Sequence, residues 1–298
     1  IPQFSSHYTY DETSAYISDF IQRKSTVRKD SKQMIVHYNQ YQPMIDNVIN
    51  RFPNMEPKEF TQSLLFLAKS LIPFDVCKQL QTINESSLIV TYFYRVLFER
   101  VYEKFDYFFI NFDVNKKLSN FLNNLKMDFS KDWPFDYMNV QFINSTNHDT
   151  NSIFDNKSNL NLMKISKKEF DQLNVKDYFR NDGYFESAAE FLNETMFCSN
   201  PIDALFQIAK SLSSIQKGAV IHKIQKKQLP PECIDHVLCF DDNFTLLIGT
   251  FIASEIPDLF SLNWFIQSYS PATALSSPLE FAYVNIEGLT KYISSIYN

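Results

Sequence analysis

The chain has 298 residues and a formal net charge of −6, a balance that speaks against nucleic acid as the main partner, because that affinity rests on Lys and Arg neutralising phosphates. Hydrophobic residues make up 45% and charged residues 21%, with only 4 Gly, a globular profile too poor in glycine for a turn-dense β-protein or a phosphate-cradling loop. Helix is therefore favoured, and 29 Phe with 16 Tyr require large rings to fill much of the interior.

In chain order, Asp11–Lys24 reads as the first amphipathic helix, with Ala15, Tyr16, Ile17 and Phe20 on a 3.6-residue stripe. Ser31–Phe52 follows, and its Pro43 is expected to kink or divide it. Glu56–Ile72 opens with Pro57 near the first helical position, where a missing N–H does no harm, and Pro73 ends it. Glu85–Phe109 is apolar over a wide arc, from Leu88 and Ile89 to Val101 and Phe105, as befits the central member of a bundle. A further helix runs from Asp113 to about Met127. Periodicity fades between residues 128 and 165, and the Asn-, Ser- and Thr-dense stretch Asn144–Asn161 reads as a long surface loop. Helical patterns return over Tyr184–Phe197, Pro201–Lys227, Asp242–Ser254, Leu259–Tyr269 and Leu279–Ile296. No β-period run is long enough for a sheet, and no repeat of fixed period occurs. The expectation is an all-α protein with an N-terminal helical bundle over residues 1–112 and a second helical domain over 113–298.

No apolar run approaches the ~20 residues that span a bilayer. Four cysteines, at 77, 198, 233 and 239, suit a reduced intracellular protein better than a disulfide framework. A chain beginning with Ile reads as a piece of a longer one. The basic clusters at Lys24–Lys32 and Lys223–Lys227 are short enough to be solvated helix ends. Cys233-x-x-His236-x-x-Cys239 offers three of the four ligands a structural zinc needs, and no second pair completes the set, so it reads as thiols with an ordinary His. There is no G-x-S-x-G, HExxH, P-loop or GxGxxG motif, and the five His are scattered; no cofactor or metal is expected.

The segment Phe240-Asp241-Asp242-Asn243-Phe244-Thr245-Leu246-Leu247-Ile248 stands apart. Acids and an Asn just before an apolar helix are on local physics an N-cap signal, since a side-chain oxygen accepts an orphan backbone N–H and negative charge suits the helix N-terminus. Two adjacent carboxylates exceed what one cap needs, which leaves one free to point elsewhere.

Three blocks now resemble, in order and spacing, the signature of the vacuolar-protein-sorting-nine (VPS-nine) domain family of Rab guanine-nucleotide exchange factors. Pro201-x-Asp203-x-Leu205-x-x-Ile208-x-Lys210 is similar to the Pro-x-Asp-Lys-Leu start of its long helix. Asp241-Asp242-Asn243-Phe244, the helix Leu246–Ala253, Ile256-Pro257 and Leu259–Tyr269 resemble its Ala-Asp-Asp-Phe-x-Pro motif, apolar helix, Pro-bearing connection and next helix. Phe281-Ala282-Tyr283-Val284-Asn285-Ile286, followed by Leu289-x-x-Tyr292-Ile293, occupies the place of its Gly-Tyr-Tyr-x-Thr-Asn-Leu motif. The blocks cover about residues 184–293, and Asp11–Met127 is similar in pattern to the bundle that braces the exchange domain in endosomal members.

The resemblance implies GDP/GTP exchange on a Rab of the early-endosomal branch by a cytoplasmic protein recruited to endosomes through partners, with metal and nucleotide belonging to the GTPase. It places the family's acidic finger at Asp242, with Asn243, Phe244, Leu246, Phe281, Val284 and Asn285 lining or supporting the groove that receives the GTPase. The sequence departs from the family at Leu246 for Pro, Phe281 for Tyr and Val284 for Thr. Each of the last two removes a hydroxyl, worth about 0.5–1.5 kcal/mol where it makes a hydrogen bond. Rival readings are a scaffold that binds a Rab without exchange and a helical adaptor unrelated to GTPases.

Overall fold

The computed structural model describes residues 31–72, 83–106, 116–128, 130–143, 163–227 and 238–297. The helix expected over Asp11–Lys24, the body of the loop over Asn144–Asn161, and Cys233 with His236 lie outside them. The described chain is overwhelmingly helical, and the fold is all-α. In chain order the α-helices are α1 Ser31–Arg51, α2 Pro57–Ser70, α3 Ile83–Phe105, α4 Lys116–Asn123, α5 Lys167–Phe170 and α6 Val175–Arg180. They continue as α7 Gly183–Glu194, α8 Pro201–Lys227, α9 Phe240–Ala253, α10 Leu259–Tyr269 and α11 Ser277–Tyr297.

Pro43 does not divide α1, which runs unbroken through it. Pro43 is exposed, so its ring meets solvent and not a packed neighbour. The absence of strands is also corrected: β1 Val140–Phe142 and β2 Met163–Ile165 form a parallel pair in the register Val140↔Met163. Each strand is three residues long, too short for a period of two to register. The short helices α5 and α6 likewise escaped periodicity, although their caps are written in the sequence. Ser166 and Glu169 form a capping box on α5, and the Asn174 side chain accepts the N–H groups of Lys176 and Asp177.

The chain divides into two compact units, and a single cut near residue 112 does not describe the division. The N-terminal helices group with residues 197–206 and 260–287, and the remainder forms the second unit. The helices α8 and α11 are long enough to contribute one end to each.

In the first unit, Phe60, Leu64, Leu67 and Ala68 make a buried stripe on α2 at steps of four, three and one. Aromatic rings fill the core: Phe60 lies 6.0 Å from Phe98, and Phe98 lies 5.9 Å from Tyr269, both edge-on. Each such pair contributes about 0.5–1.5 kcal/mol beyond burial. The polar tips are satisfied, with the Tyr94 hydroxyl donating to the Tyr269 carbonyl and Thr91 Oγ1 donating to the Ala274 carbonyl at 3.0 Å. Burial pushes the Tyr94 phenol far above its ordinary value. Asp203, in the first turn of α8, receives a forked pair from Arg95, Nε to Oδ1 at 2.6 Å and Nη2 to Oδ2 at 2.8 Å.

In the second unit, α6 packs on α9 where Phe179 fills the space beside Gly249; a Cβ at position 249 would meet Phe179 Cζ at 2.1 Å. Backbone bonds Met127 N–H to Leu173 O (2.8 Å) and Val175 N–H to Leu125 O (3.0 Å) tie the segment after α4 to the start of α6. The body of α9 is thereby a spine, with Leu246 through Ala253 all buried.

An acidic first turn beside an apolar trough

The candidate site is built on the first two turns of α9. The helix begins two residues earlier than its acids suggested, and its cap is Cys239, whose Sγ accepts the Asp242 N–H at 3.4 Å. The N-cap reading of the aspartates is thus corrected: Asp241 and Asp242 sit inside the first turn. Negative charge there still favours the helix N-terminus, but neither carboxylate closes a backbone N–H. Asp241 is exposed and Asp242 half-exposed, and among the described residues neither carboxylate has a hydrogen-bond or ionic partner. Phe240, 54% exposed, stacks on Phe244 with ring centroids 5.9 Å apart and planes 10° from parallel. Phe244 in turn meets Tyr292 edge-on at 6.4 Å, and a Cβ at Gly288 would stand 3.3 Å from its ring.

Behind this turn opens a trough of about 670 Å³, formed wholly within the second unit. Its floor along α9 is Phe244, Thr245, Ile248 and Ile252, positions whose spacing keeps one face for about 12 Å at 1.5 Å per residue. Phe121 and Leu125 wall it from α4 and the segment after it, Trp133 and Val175 from the loop and α6, and Tyr292 and Ile296 from α11. Sequence reasoning missed most of these walls. Tyr292 and Phe121 carried a helical stripe, which distinguishes a buried face but not a concave one, and Trp133 lies in a stretch without period.

Three of the residues expected to line or support the groove are buried, which leaves them a supporting place only. Leu246 is fully buried, Asn243 is 2% exposed and Asn285 is 1% exposed. Leu246 belongs to the packed spine of α9. Asn285 donates Nδ2 to the Phe281 carbonyl one turn back at 2.8 Å, while neither amide atom of Asn243 finds a partner among the described residues. Phe281 and Val284 are exposed, 37% and 51%, so neither is core. They share a face of α11 at i and i+3, on the part that belongs to the first unit, whereas Asp242 and Phe244 belong to the second. Each pair stands as a surface of its own unit.

Comparison with family models, with curated proteins and with solved structures finds no match. No described helix is long and apolar enough to cross a membrane, and among the described residues no cluster of three or more His, Cys, Asp or Glu could hold a metal ion.

Proposed function

We propose that the chain is a guanine-nucleotide exchange factor for a small GTPase of the early-endosomal Rab branch, acting at endosomal membranes with Asp242 as its acidic finger. The observation that carries this reading is an unpartnered, half-buried carboxylate in the first turn of α9, with Phe244 and Thr245, two and three residues on, opening onto an apolar trough. A GTPase holds GDP through a P-loop Lys and Mg²⁺ on the phosphates. A carboxylate carried into that site pairs with the Lys and repels the β-phosphate and the acids that hold the metal. One charge pair at about 4 Å is worth roughly 4 kcal/mol at an effective dielectric of 20, before desolvation. That corresponds to about three decades in nucleotide affinity. By linkage, a protein that prefers the nucleotide-free GTPase weakens nucleotide by the same factor.

The exposed Phe281 and Val284 of the first unit are available for contact, and Phe keeps the ring while losing the hydroxyl of the family's Tyr. The test is release of a fluorescent GDP analogue from a panel of loaded Rabs, with and without Asp242→Ala. Acceleration that vanishes in the variant is the expected outcome. Binding without acceleration by the unaltered chain would replace exchange with a scaffold role, and absence of binding to every Rab would leave a helical adaptor.

A further inference from the structure

We infer that the trough of the second unit is a binding site for a single-chain anionic amphiphile, a medium-chain carboxylate whose tail lies along α9 and whose head rests at the lysine-bearing end. The cavity holds about 670 Å³, within the range of roughly 300–1,000 Å³ common to small-molecule sites. Its walls are rings and branched aliphatics and its floor runs about 12 Å along α9, so an extended chain fits better than a compact polar molecule.

The charged residues of the lining come from the segment after α4 and the loop that follows it. Lys126 follows Leu125, whose carbonyl is bonded to the Val175 N–H, and this fixes Lys126 at the α6 side of the trough. Trp133 stands on the same side, 6.0 Å from Phe179, the ring lodged against Gly249 midway along α9. Lys126, Lys131 and Asp132 are the charged residues of the lining, all three exposed. Two ammoniums against one carboxylate leave this rim net positive on a chain whose net charge is −6. Asp241 and Asp242, three and two residues before Phe244 at the start of α9, would repel an anionic head there. Tail burial contributes about 0.8 kcal/mol per methylene, which makes a medium chain sufficient for measurable binding.

The inference requires no GTPase and goes beyond exchange. Titration calorimetry of the purified chain with dodecanoate below its micelle concentration, and with dodecanol as the uncharged match, tests it. Two variants accompany the unaltered chain, their folding checked by circular dichroism: Lys126→Glu/Lys131→Glu at the rim and Thr245→Trp, which fills the trough. We expect one saturable dodecanoate site, weakened about tenfold by the lysine reversal while dodecanol binding holds. Both ligands should be lost in Thr245→Trp. The assignment is overturned by absence of saturable binding, by binding that survives Thr245→Trp, or by equal dodecanoate affinity after lysine reversal. Because no GTPase is present, failure here leaves the exchange proposal standing, and failure of the exchange assay leaves this one.

Discussion

The starts of α7 and α9 both carry aspartate in the second unit, and they use it in opposite ways. At α7 the acid is the cap itself: Asp182 Oδ1 accepts the N–H groups of Tyr184 at 3.1 Å and Phe185 at 3.4 Å. Its other oxygen lies 2.7 Å from Nε2 of His222 on α8, both side chains being about 95% buried, with the Tyr184 and Phe185 rings 5.5 and 5.8 Å from the imidazole. At α9 the cap is a thiol, and the acids sit a position or more further in, facing outward. An aspartate is committed to structure when it holds the cap position and a second buried group claims its remaining oxygen. It is left for other work when something else closes the helix.

Removing Asp182 tests the committed side and should have the largest effect. Asp182→Ala deletes a cap worth about 1 kcal/mol and leaves the buried His222 imidazole without the carboxylate beside it, and stranding a buried polar group costs about 1–3 kcal/mol more. Urea denaturation should show a destabilisation in that range, with Asp182→Asn recovering the cap and only part of the loss. A cost below about 1 kcal/mol would erase the distinction between the two helix starts.

A smaller effect is expected from the contact that holds α9 in place while its first turn stays open. In Gly249→Ala the new methyl would fall 2.1 Å from the Phe179 ring, so α6 or the ring must shift. Overpacking of this kind costs about 1–3 kcal/mol. The matching melt should be lowered accordingly, and unaltered stability would mean that α6 yields freely and does not anchor the spine.

Much of this contrast was unreadable in the sequence, for definite reasons. The boundaries of α8 and α10 were legible because Pro201 marks a first helical position and an apolar stripe fills Leu259–Tyr269. The Cys239 cap was not, since thiols rank low as caps and two aspartates lay beside it as stronger signals. Leu246 and Asn243 could not be told from groove residues, because α9 is apolar on most of its circumference and its period no longer says which side is outward. The openness of Asp242 follows from the identity of the cap three residues earlier, a fact of backbone geometry that the residue types alone do not carry.

The smallest stability effects belong at the start of α9, and there smallness is the decisive result. Cys239→Ser replaces a long sulfur hydrogen bond with a hydroxyl cap and should stabilise by up to about 1 kcal/mol. Asp242→Ala should cost no more than about 0.3–1 kcal/mol, the worth of one first-turn charge in the helix field, and salt should screen it. Equilibrium unfolding of the two variants beside Asp182→Ala sets all three on one scale. If Asp242→Ala destabilises as strongly as Asp182→Ala, its carboxylate serves the fold, and loss of exchange in that variant would report unfolding. If it is nearly silent in stability, any loss of nucleotide release belongs to the carboxylate itself, because the helix that presents it is still capped by its neighbour.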